Sequence, residues 1–578
     1  MSDTNRYVAR VVPDVTGLDK EFDYLIPADL DGSVEVGTIV RVELHGRRIG
    51  GWVSAISGGT SDGRPVESLK PIAKVTGHGP ASELFELAEW ASVRWAARRI
   101  RPFLVAASPG RAVVRLPRNR RTTIGPEPAS PATRELLAAG GGVLRLAPRV
   151  DVMPALFAAV ATGPTLVVAP EHDTVALLAT RLRRAGLSVA VVPDDWAAAA
   201  GGVDVVIGTR NAAWSPCPGL AAAVVLDEHD EALQNERTPT WHARDVVVER
   251  CRRAEVPFVL ISPVPTLTSV VEYAGRGVVH PTGARERAGW PRVTVVDRTD
   301  EDPWKRSLVT SPLIERLRDP SLTVVCVSNI TGRARVLACR SCRALVRCEQ
   351  CDAAVGLDDD GRLSCRRCGI VRPPVCQACG ASRFANLRPG VTRLREELEA
   401  AAARRVVAVT GADSAPPERA GVYVGTEAVL HRLRSADVVA FLEFDSELLA
   451  PRFRAAEQAL ALLVRAGRIA PEVLVQTFSP DHEVIRAVVA GDPSLVLAGE
   501  RARRELLGLP PFGALAVVSG AGAADVVAQL PSELSVGGDG ADRFLVRAPD
   551  WPSLGRGLDA TVRPPGVRVR IEVDPARV

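Results

Sequence analysis

Four consecutive residues near the middle of the chain have the side chains of a nucleotide site. Asp227, Glu228, His229 and Asp230 directly follow the apolar residues 224–226, a pattern that is typical of a buried parallel strand. In nucleotide-driven motors the first carboxylate of such an acidic box holds the Mg²⁺ of ATP, and the second orients the attacking water. Asp227 and Glu228 are therefore the candidates for these positions, in a box that is degenerate. A solvated acidic turn after a strand is the simpler alternative.

An acidic box needs a partner loop that holds the phosphates. Such a loop combines glycines with a lysine that bridges the phosphates and a Ser or Thr for Mg²⁺. A glycine run occurs at 140–142, but no Lys-Ser/Thr pair follows it, and the chain has no lysine between Lys74 and Lys305. Arg145 and Arg149 are poor substitutes, because a guanidinium is bulkier than an ammonium. We therefore expect that ATP is not hydrolysed.

Eight of the 11 cysteines fall between positions 339 and 379, in four C-x-x-C pairs. Each pair places two thiolates on one tight turn, which suits half of a tetrahedral zinc site. Redox or disulfide use is the alternative, but crowded cysteines in a large chain without a recognisable secretory signal favour metal. The spacing predicts two structural Zn²⁺ sites, an outer one at Cys339, Cys342, Cys376 and Cys379, and an inner one at Cys348, Cys351, Cys365 and Cys368.

Arginines surround the cysteine pairs. They are Arg340, Arg343, Arg347, Arg366 and Arg367. Contact with the phosphate backbone of a nucleic acid would explain their position, and a role as solubilising surface residues is the alternative for each. The other three cysteines, Cys217, Cys251 and Cys326, are interpreted as buried thiols.

The elements that position these residues follow from the hydrophobic pattern. Short apolar runs such as VPFVLIS (256–262) alternate with helical stretches such as TVALLATRLRRAG (174–186), which predicts a doubly wound α/β lobe with the acidic box at a strand's carboxyl end. A second lobe with the same pattern spans 310–337 and 386–485, so the cysteine block is an insertion into it.

The two ends of the chain have other patterns. Residues 6–57 alternate apolar and polar positions, which predicts a small β-rich domain, closed by one helix over 82–100. The stretch 111–132 is predicted to be a linker because it is rich in proline and charge. The part after 486 is compatible with a compact α+β domain.

Composition sets broad limits. A chain of 578 residues has room for roughly three to five domains. No apolar run reaches the ~18 residues of a membrane span, so we expect a cytoplasmic protein that does not bind membranes. The net charge of +4 neither requires nor excludes nucleic acid.

In this order, the motifs resemble those of one family, the primosomal protein N′ or PriA replication-restart helicases. The matching stretches are KEFDYLIP, VVIGTRNAAW, VVLDEHDEALQ, WHARDV, the four C-x-x-C pairs, VYVGTEAVL, FRAAEQALALLVRAGR, EVLVQTFSP and LPPF. The chain looks like a divergent, actinobacterial-like member with degenerate helicase motifs. The resemblance implies an α/β fold with two RecA-like helicase lobes, a two-zinc insertion in lobe 2, a β-rich N-terminal 3′-DNA-end-binding domain and a C-terminal α+β domain.

The resemblance also implies where these units lie. They are the 3′-DNA-end-binding domain (1–108), a Pro/Arg-rich linker (109–135) from which the family's winged-helix domain is largely missing, helicase lobe 1 (136–285), lobe 2 (286–485) with the zinc insertion (338–382), and the C-terminal domain (486–578). By resemblance, the first domain grips the 3′-OH of a nascent leading strand through Phe22, Asp23, Tyr24, Gly46 and Lys70. An aromatic ring would stack on the terminal base, Asp23 would accept from the 3′-OH and Lys70 would meet phosphate.

Departures from the family pattern fall mostly on ATP use. The Gly-Lys-Thr loop is missing, the coupling motif reads Ser262-Pro263-Val264-Pro265, and the Gly-Thr-Gln-Met segment reads GTEA (425–428). The arginine motif is shortened to RAGR (465–468). Whether Asp227 aligns with the Mg²⁺-binding Asp of the family or is shifted by one is open.

We therefore expect a fork-binding replication-restart protein with two Zn²⁺ and without ATPase or helicase activity. The expected partners are branched fork DNA with a 3′-OH leading-strand end, single-stranded-DNA-binding protein, and the replicative helicase with its loaders, in the cytoplasm at the nucleoid. An active ATP-dependent 3′→5′ helicase with an atypical phosphate site, and a zinc-stabilised protein–protein adaptor, are the alternatives.

Overall fold

The computed structural model of the protein describes most of the chain. The described residues are 7–18, 20–58, 65–122, 130–273, 278–280, 284–300, 308–328, 337–342, 344–358, 360–365, 367–386, 391–409, 417–538 and 542–578. No helix in these ranges has the length and apolar character that crossing a bilayer requires. The predictions for Arg343 and Arg366 concern residues outside these ranges.

The N-terminal part is an antiparallel five-stranded sheet of order β2-β1-β4-β3-β5. Its strands are β1 (Val8–Pro13), β2 (Phe22–Leu25), β3 (Ile39–Leu44), β4 (Arg47–Ser57) and β5 (Lys74–Gly77). Hydrogen bonds between Leu25 and the chain at Lys70 and Ile72 bring the two edges of the sheet together. The sheet therefore curls around its own apolar core, which includes Tyr24 and Val40.

Two helices cover one face of this sheet, where one was predicted over 82–100. They are α1 (Ser82–Arg94) and α2 (Arg101–Ala107). Between them Ala96 and Arg98 adopt positive φ angles of 48° and 56°, which ends α1. Pro102 lies in the first turn of α2, where a proline is favoured because its missing N–H has no partner there in any helix. The apolar pattern across 82–100 thus continues beyond the end of α1.

Lobe 1 is built on seven parallel strands in the order β12-β6-β11-β10-β7-β9-β8. These strands are β6 (Gly142–Arg145), β7 (Thr165–Val168), β8 (Val189–Val192), β9 (Val205–Gly208), β10 (Ala222–Leu226), β11 (Phe258–Ser262) and β12 (Val278–Val279). The helices are α3 (Pro131–Ala138), α4 (Met153–Val160), α5 (His172–Arg184), α6 (Trp196–Gly201), α7 (Ala243–Ala254), α8 (Leu267–Glu272) and α9 (Ala284–Ala288). β10 is buried along its whole length, which explains its unbroken apolar sequence.

The last part of the stretch predicted to be linker is helical. Ser130 caps α3, because its side chain accepts a hydrogen bond from the N–H of Thr133, and Pro131 occupies the first turn. The part of the stretch from 109 to 122 has no regular secondary structure.

Lobe 2 is a second parallel sheet, of order β13-β23-β22-β14-β21-β20. Its strands are β13 (Arg292–Asp297), β14 (Val324–Val327), β20 (Val406–Val409), β21 (Val422–Gly425), β22 (Val438–Phe441) and β23 (Glu472–Thr477). Its helices are α10 (Ser311–Arg318), α11 (Val391–Ala402), α12 (Val429–Arg432), α13 (Asp445–Leu448), α14 (Ala455–Ile469), α15 (Glu483–Ala490) and α16 (Ser494–Leu507).

The cysteine-rich insertion lies between β14 and α11. It contains a two-stranded and a three-stranded antiparallel sheet made from β15 (Leu337–Cys339), β16 (Gly356–Leu357), β17 (Leu363–Ser364), β18 (Val371–Arg372) and β19 (Phe384–Asn386). The C-terminal part is an antiparallel sheet of order β25-β26-β24-β27 with two helices. These elements are β24 (Ala514–Ser519), α17 (Ala523–Val527), β25 (Ser535–Gly538), β26 (Arg543–Ala548), α18 (Trp551–Asp559) and β27 (Arg570–Val573). The predicted fold class is confirmed.

One tryptophan joins the N-terminal helices to lobe 1. Trp214 is 0% exposed and packs its ring against Phe103 of α2 and against Trp241. Arg250 donates to the carbonyls of Ala213 and Ser215 on either side of it. The indole fills the space between the two units.

We predict that Trp214→Ala lowers the free energy of unfolding by about 3–5 kcal/mol, because it leaves a cavity in a closed core. Trp214→Phe should cost less, since the indole Nε1 has no hydrogen-bond partner among the described residues. Urea unfolding followed by far-UV circular dichroism measures both. Equal midpoints for the wild type and Trp214→Ala would contradict this role.

Candidate functional site

The acidic box lies at the carboxyl end of β10, between the two lobes. Asp227 adopts a φ of 51°, which turns the chain sharply after the strand. Its carboxylate is held by both terminal nitrogens of Arg468, which extends from α14 in lobe 2. Burial alone would raise the pKa of Asp227, but the charge of Arg468 and its hydrogen bonds lower the pKa below its usual value.

Glu228 points in another direction and is 0% exposed. Its two oxygens accept hydrogen bonds from the N–H of Thr266 (2.6 Å) and from the hydroxyls of Thr266 (2.9 Å) and Ser269 (2.7 Å). Arg244 of α7 forms an ion pair with it at 3.2 Å. The Glu228 carboxylate, which would orient water in a motor, is thus hydrogen-bonded to residues at the N-terminus of α8.

The Ser-Pro-Val-Pro segment is tied to the same box. The Ser262 hydroxyl lies 2.8 Å from Nδ1 of His229 and accepts from the N–H of Val264. Two residues after the segment, at the start of α8, the N–H of Leu267 donates to Glu457 of lobe 2 at 2.7 Å. The segment therefore connects the box to the second lobe.

A second set of ion pairs crosses between the lobes beside Asp227. Arg465 of α14 binds Asp230 and Glu171, each at 2.5 Å, and Arg434 lies 3.3 Å from Asp173. His431 lies 2.8 Å from the same oxygen of Glu171. The hydrogen bond with His431 and the charge of Arg465 outweigh burial and lower the pKa of Glu171 to about 2. We call these pairs, with Asp227–Arg468, the interlobe ladder.

Two backbone donors in the region between β6 and α4 are bound by carboxylates of the chain itself. The N–H of Met153, the first residue of α4, donates to Asp151 at 3.1 Å, and Arg181 binds that carboxylate at 2.6 and 2.8 Å. The N–H of Ala147 donates to buried Glu286 at 3.3 Å. Anions bind at helix N-termini because N–H groups there lack partners. Here internal carboxylates fill that role.

A cleft of about 730 Å³ opens next to the box, between both lobes and the C-terminal part. Its arginines are largely engaged. Arg454 binds Asp574 at 2.7 Å, and Arg577 binds Glu231 at 2.8 Å. The cleft is lined by opposite charges that already neutralise one another.

The eight clustered cysteines come together in two groups of four, with the membership predicted above. In the outer group, Sγ–Sγ distances are 3.6 Å for Cys339–Cys379 and 3.5 Å for Cys342–Cys376. In the inner group they are 3.4 Å for Cys348–Cys368 and 3.5 Å for Cys351–Cys365. A tetrahedral Zn²⁺ with bonds of about 2.3 Å places its sulfurs about 3.8 Å apart. Both groups can therefore hold a metal ion of this size.

Two of the arginines predicted to meet phosphates dock the cysteine module on lobe 2 instead. Arg347 donates to the Ser479 hydroxyl at 2.5 Å, and Arg367 donates to the Phe453 carbonyl and lies 3.7 Å from buried Glu500. The N–H of Ala354 also donates to the carbonyl of Leu449. The sequence pattern marked these arginines correctly as interacting residues, but their partners belong to the protein.

The residues predicted to grip a DNA end lie in or beside the N-terminal sheet. Asp23 is on β2, 3.5 Å from Arg10, and Lys70 binds Glu43 at 2.7 Å. Phe22 is half-buried at the rim of the core. Gly46 forms the exposed tip of the β3–β4 hairpin with a φ of 77°, which favours glycine.

Tyr24 does not fit the stacking role. Its ring is 3% exposed inside the sheet, and its hydroxyl donates to the Glu43 carbonyl at 3.1 Å. It is a core residue because alternation along β2 turns it inward. Phe22 is left as the aromatic candidate for stacking.

Sequence reasoning missed three carboxylates that bind the loop after β6 and the arginines of α14 and α5. Glu171, Asp151 and Glu286 lie far apart in sequence, and none is part of a motif. Only the absence of lysine from the loop hinted that something else would satisfy its donors.

Comparison with known proteins shows what the chain is similar to. Residues 10–107 match the profile described as the 3′DNA-binding domain (3′BD) of PriA. The probable replication restart protein PriA of Mycobacterium tuberculosis (strain ATCC 25618 / H37Rv) is 29% identical over 575 residues, which is 88% of this chain and 85% of that protein. The replication restart protein PriA of Bacillus subtilis (strain 168) is 29% identical over 55% of this chain and 43% of its own length.

Other matches are shorter or weaker. The PriA of Treponema pallidum (strain Nichols) is 29% identical over 65% of each chain, so this chain spans less than two thirds of the Bacillus and Treponema relatives. The solved structure of S. cerevisiae Dbp5 bound to RNA and ADP BeF3 aligns with 66% of this chain and 94% of its own, with a TM-score of 0.36 and 10% identity, too low to carry an argument. The match to a 3′DNA-binding domain and the long match to mycobacterial proteins agree with the order of lobes and cysteine pairs: the chain is similar to replication restart proteins PriA over most of its length.

Proposed function

We propose that this protein recognises stalled or abandoned replication forks by the 3′-OH end of the nascent leading strand, and helps to reload the replisome without hydrolysing ATP. The observation that carries the fork-binding part is the match of residues 10–107 to a 3′DNA-binding domain. Asp23 supplies a carboxylate that can accept a hydrogen bond from a 3′-OH, while a terminal phosphate in the same place would be repelled.

The contacts between the lobes support the second part of the proposal. Each group that would serve ATP has an internal partner: Asp227 is bound by Arg468, Glu228 by α8, and the loop donors by Asp151 and Glu286. Hydrolysis would require ATP and Mg²⁺ to displace these carboxylates and arginines without a lysine to hold the phosphates. The lobes then act as a scaffold that holds the DNA-end domain, the zinc module and the C-terminal part in place.

The protein partners belong to the same proposal. A restart protein without motor activity would act by bringing the replicative helicase and its loaders, and single-stranded-DNA-binding protein, to the fork. The zinc module and C-terminal part are the units available for these contacts. The metal in both Cys₄ sites is Zn²⁺ in this proposal, since four thiolates in a closed tetrahedral arrangement favour it.

The DNA-end prediction concerns Asp23. The wild type should bind a fork with a 3′-OH more tightly than a fork with a 3′-phosphate. The Asp23→Ala variant should bind the 3′-OH fork roughly tenfold to a hundredfold more weakly, because it loses a hydrogen bond to a charged group. Fluorescence anisotropy with both forks measures this. Glu21→Ala is the matched control, because Glu21 lies near the same Arg10 at 3.9 Å but is exposed. Equal binding of both forks by the wild type would reject the 3′-OH part of the proposal.

The nucleotide prediction concerns Asp227. Phosphate release from ATP should stay at the rate of the protein-free control, with and without fork DNA. Asp227→Asn should have the same rate of phosphate release, because the wild type has no hydrolytic site that the substitution could remove. A coupled phosphate-release assay on both proteins tests this. DNA-stimulated release that disappears in Asp227→Asn would establish the alternative, an active helicase with an atypical phosphate site.

The metal prediction concerns the cysteine groups. The purified protein should contain two zinc ions per chain when its metal content is measured by elemental mass spectrometry. The Cys348→Ser variant should contain one, because the substitution removes a ligand from the inner site only. Cys326→Ala is the control: its thiol is buried in β14, apart from both groups, and should leave two zinc ions. Another metal, or one zinc ion in the wild type, would contradict the assignment.

A further inference from the structure

The predicted linker contains a strongly basic stretch that the proposed function does not use. Residues 111–121 include five arginines, Arg111, Arg115, Arg118, Arg120 and Arg121, and no acidic residue. The chain as a whole is nearly balanced, with 72 basic and 68 acidic residues. This stretch, which we call the strap, therefore has a local charge that the average composition does not explain.

The backbone of the strap is fixed at both ends. Near its start, the N–H of His78, beside β5, donates to the Val113 carbonyl at 2.8 Å. Near its end, the N–H of Arg120 donates to the Gly202 carbonyl of lobe 1 at 3.0 Å. Thr122 binds Asp204 through its N–H at 2.8 Å and its hydroxyl at 3.1 Å. The strap thus runs from the edge of the N-terminal sheet to lobe 1.

Glycines permit this close contact. A Cβ at Gly77 would lie 2.5 Å from the Val113 carbonyl oxygen, and one at Gly201 would lie 2.6 Å from the Pro117 carbonyl oxygen. Neither Gly77 nor Gly201 leaves room for a side chain next to the strap. Both units therefore have a residue that lets the strap pass close to their backbone.

The arginines of the strap divide into one anchor and four free cations. Arg121 donates to the carbonyl of Pro218 and so holds the strap on lobe 1. Arg111, Arg115, Arg118 and Arg120 are exposed, and their guanidinium groups have neither a hydrogen bond nor an ion pair with any residue that the structure describes. This contrasts with the interlobe ladder, where arginines face carboxylates.

The sheet edge next to the strap continues the positive charge. Arg41 of β3 lies directly opposite Lys74 of β5, and both are exposed. Like charges opposite each other on neighbouring strands destabilise a sheet. An anion bound over this edge would offset the repulsion between the two side chains.

We propose that the strap binds the phosphate backbone of the fork arm whose 3′ end the N-terminal domain holds, and so connects end recognition to the lobes. From Arg111 to Arg120 an extended chain reaches at most about 30 Å, which corresponds to roughly nine base pairs at 3.4 Å each. Guanidinium groups match phosphate oxygens in pairs. A polyanion with regularly spaced charges fits an extended row of arginines better than a single anion does. This inference rests on the proposed fork binding.

The test compares two double variants by fork affinity across salt concentrations. Arg115→Gln with Arg118→Gln should reduce the slope of log K against log salt by about two, and weaken binding roughly tenfold at physiological salt, because two phosphate contacts are lost. The loss should be equal for 3′-OH and 3′-phosphate forks, unlike that of Asp23→Ala. Arg395→Gln with Arg405→Gln removes the same charge from exposed ion pairs in lobe 2 and should leave the slope unchanged.

The outcomes separate the two proposals. If the wild type does not bind forks, the proposed function fails. If the wild type binds forks but the Arg115 and Arg118 variant keeps its slope, the strap inference fails and the function stands. Loss of binding to polyglutamate by that variant, with fork binding intact, would assign the strap to an acidic protein and also overturn the inference. Thermal melting checks that both double variants are folded.

Discussion

The ion pair between Asp227 and Arg468 is the contact on which the arrangement of the lobes depends. Both groups lie at the boundary between two parallel sheets, where leaving one charge without its partner is costly. Once they are paired, α14 is fixed against the end of β10, and Arg465 comes within reach of Asp230 and Glu171. In a working motor, nucleotide and metal would lie between such groups and couple their separation to hydrolysis. Here Asp227 and Arg468 bind each other directly.

The same principle explains the loop after β6. The backbone N–H of Met153 at the start of α4 finds an acceptor in Asp151, and the N–H of Ala147 in the loop before it finds one in Glu286. Arg181 in turn lowers the pKa of Asp151 and keeps it ionised. Two backbone donors of this region are thus bound by carboxylates of the chain itself.

Charged residues in the rest of the molecule fall into two classes. Arg347 and Arg367 looked like nucleic-acid contacts in the sequence, yet they hold the cysteine module on lobe 2. The strap arginines looked like part of a linker, yet the structure fixes their backbone and leaves their side chains exposed. Composition alone does not separate these cases, because the difference lies in whether a carboxylate or carbonyl faces each guanidinium group.

The sequence by itself determined the features that depend on local spacing. Two cysteines on one tight turn and an unbroken apolar run before Asp227 are local features, so the two groups of four cysteines and the parallel lobes could be predicted. Tertiary structure decided which groups meet. Alternation turned Tyr24 into the core. Positive φ angles at Ala96 and Arg98 follow α1, which ends at Arg94, before the predicted end of that helix. Glu171 reached Arg465 across 294 positions. Contacts of that range depend on how the sheets pack, which no local pattern encodes.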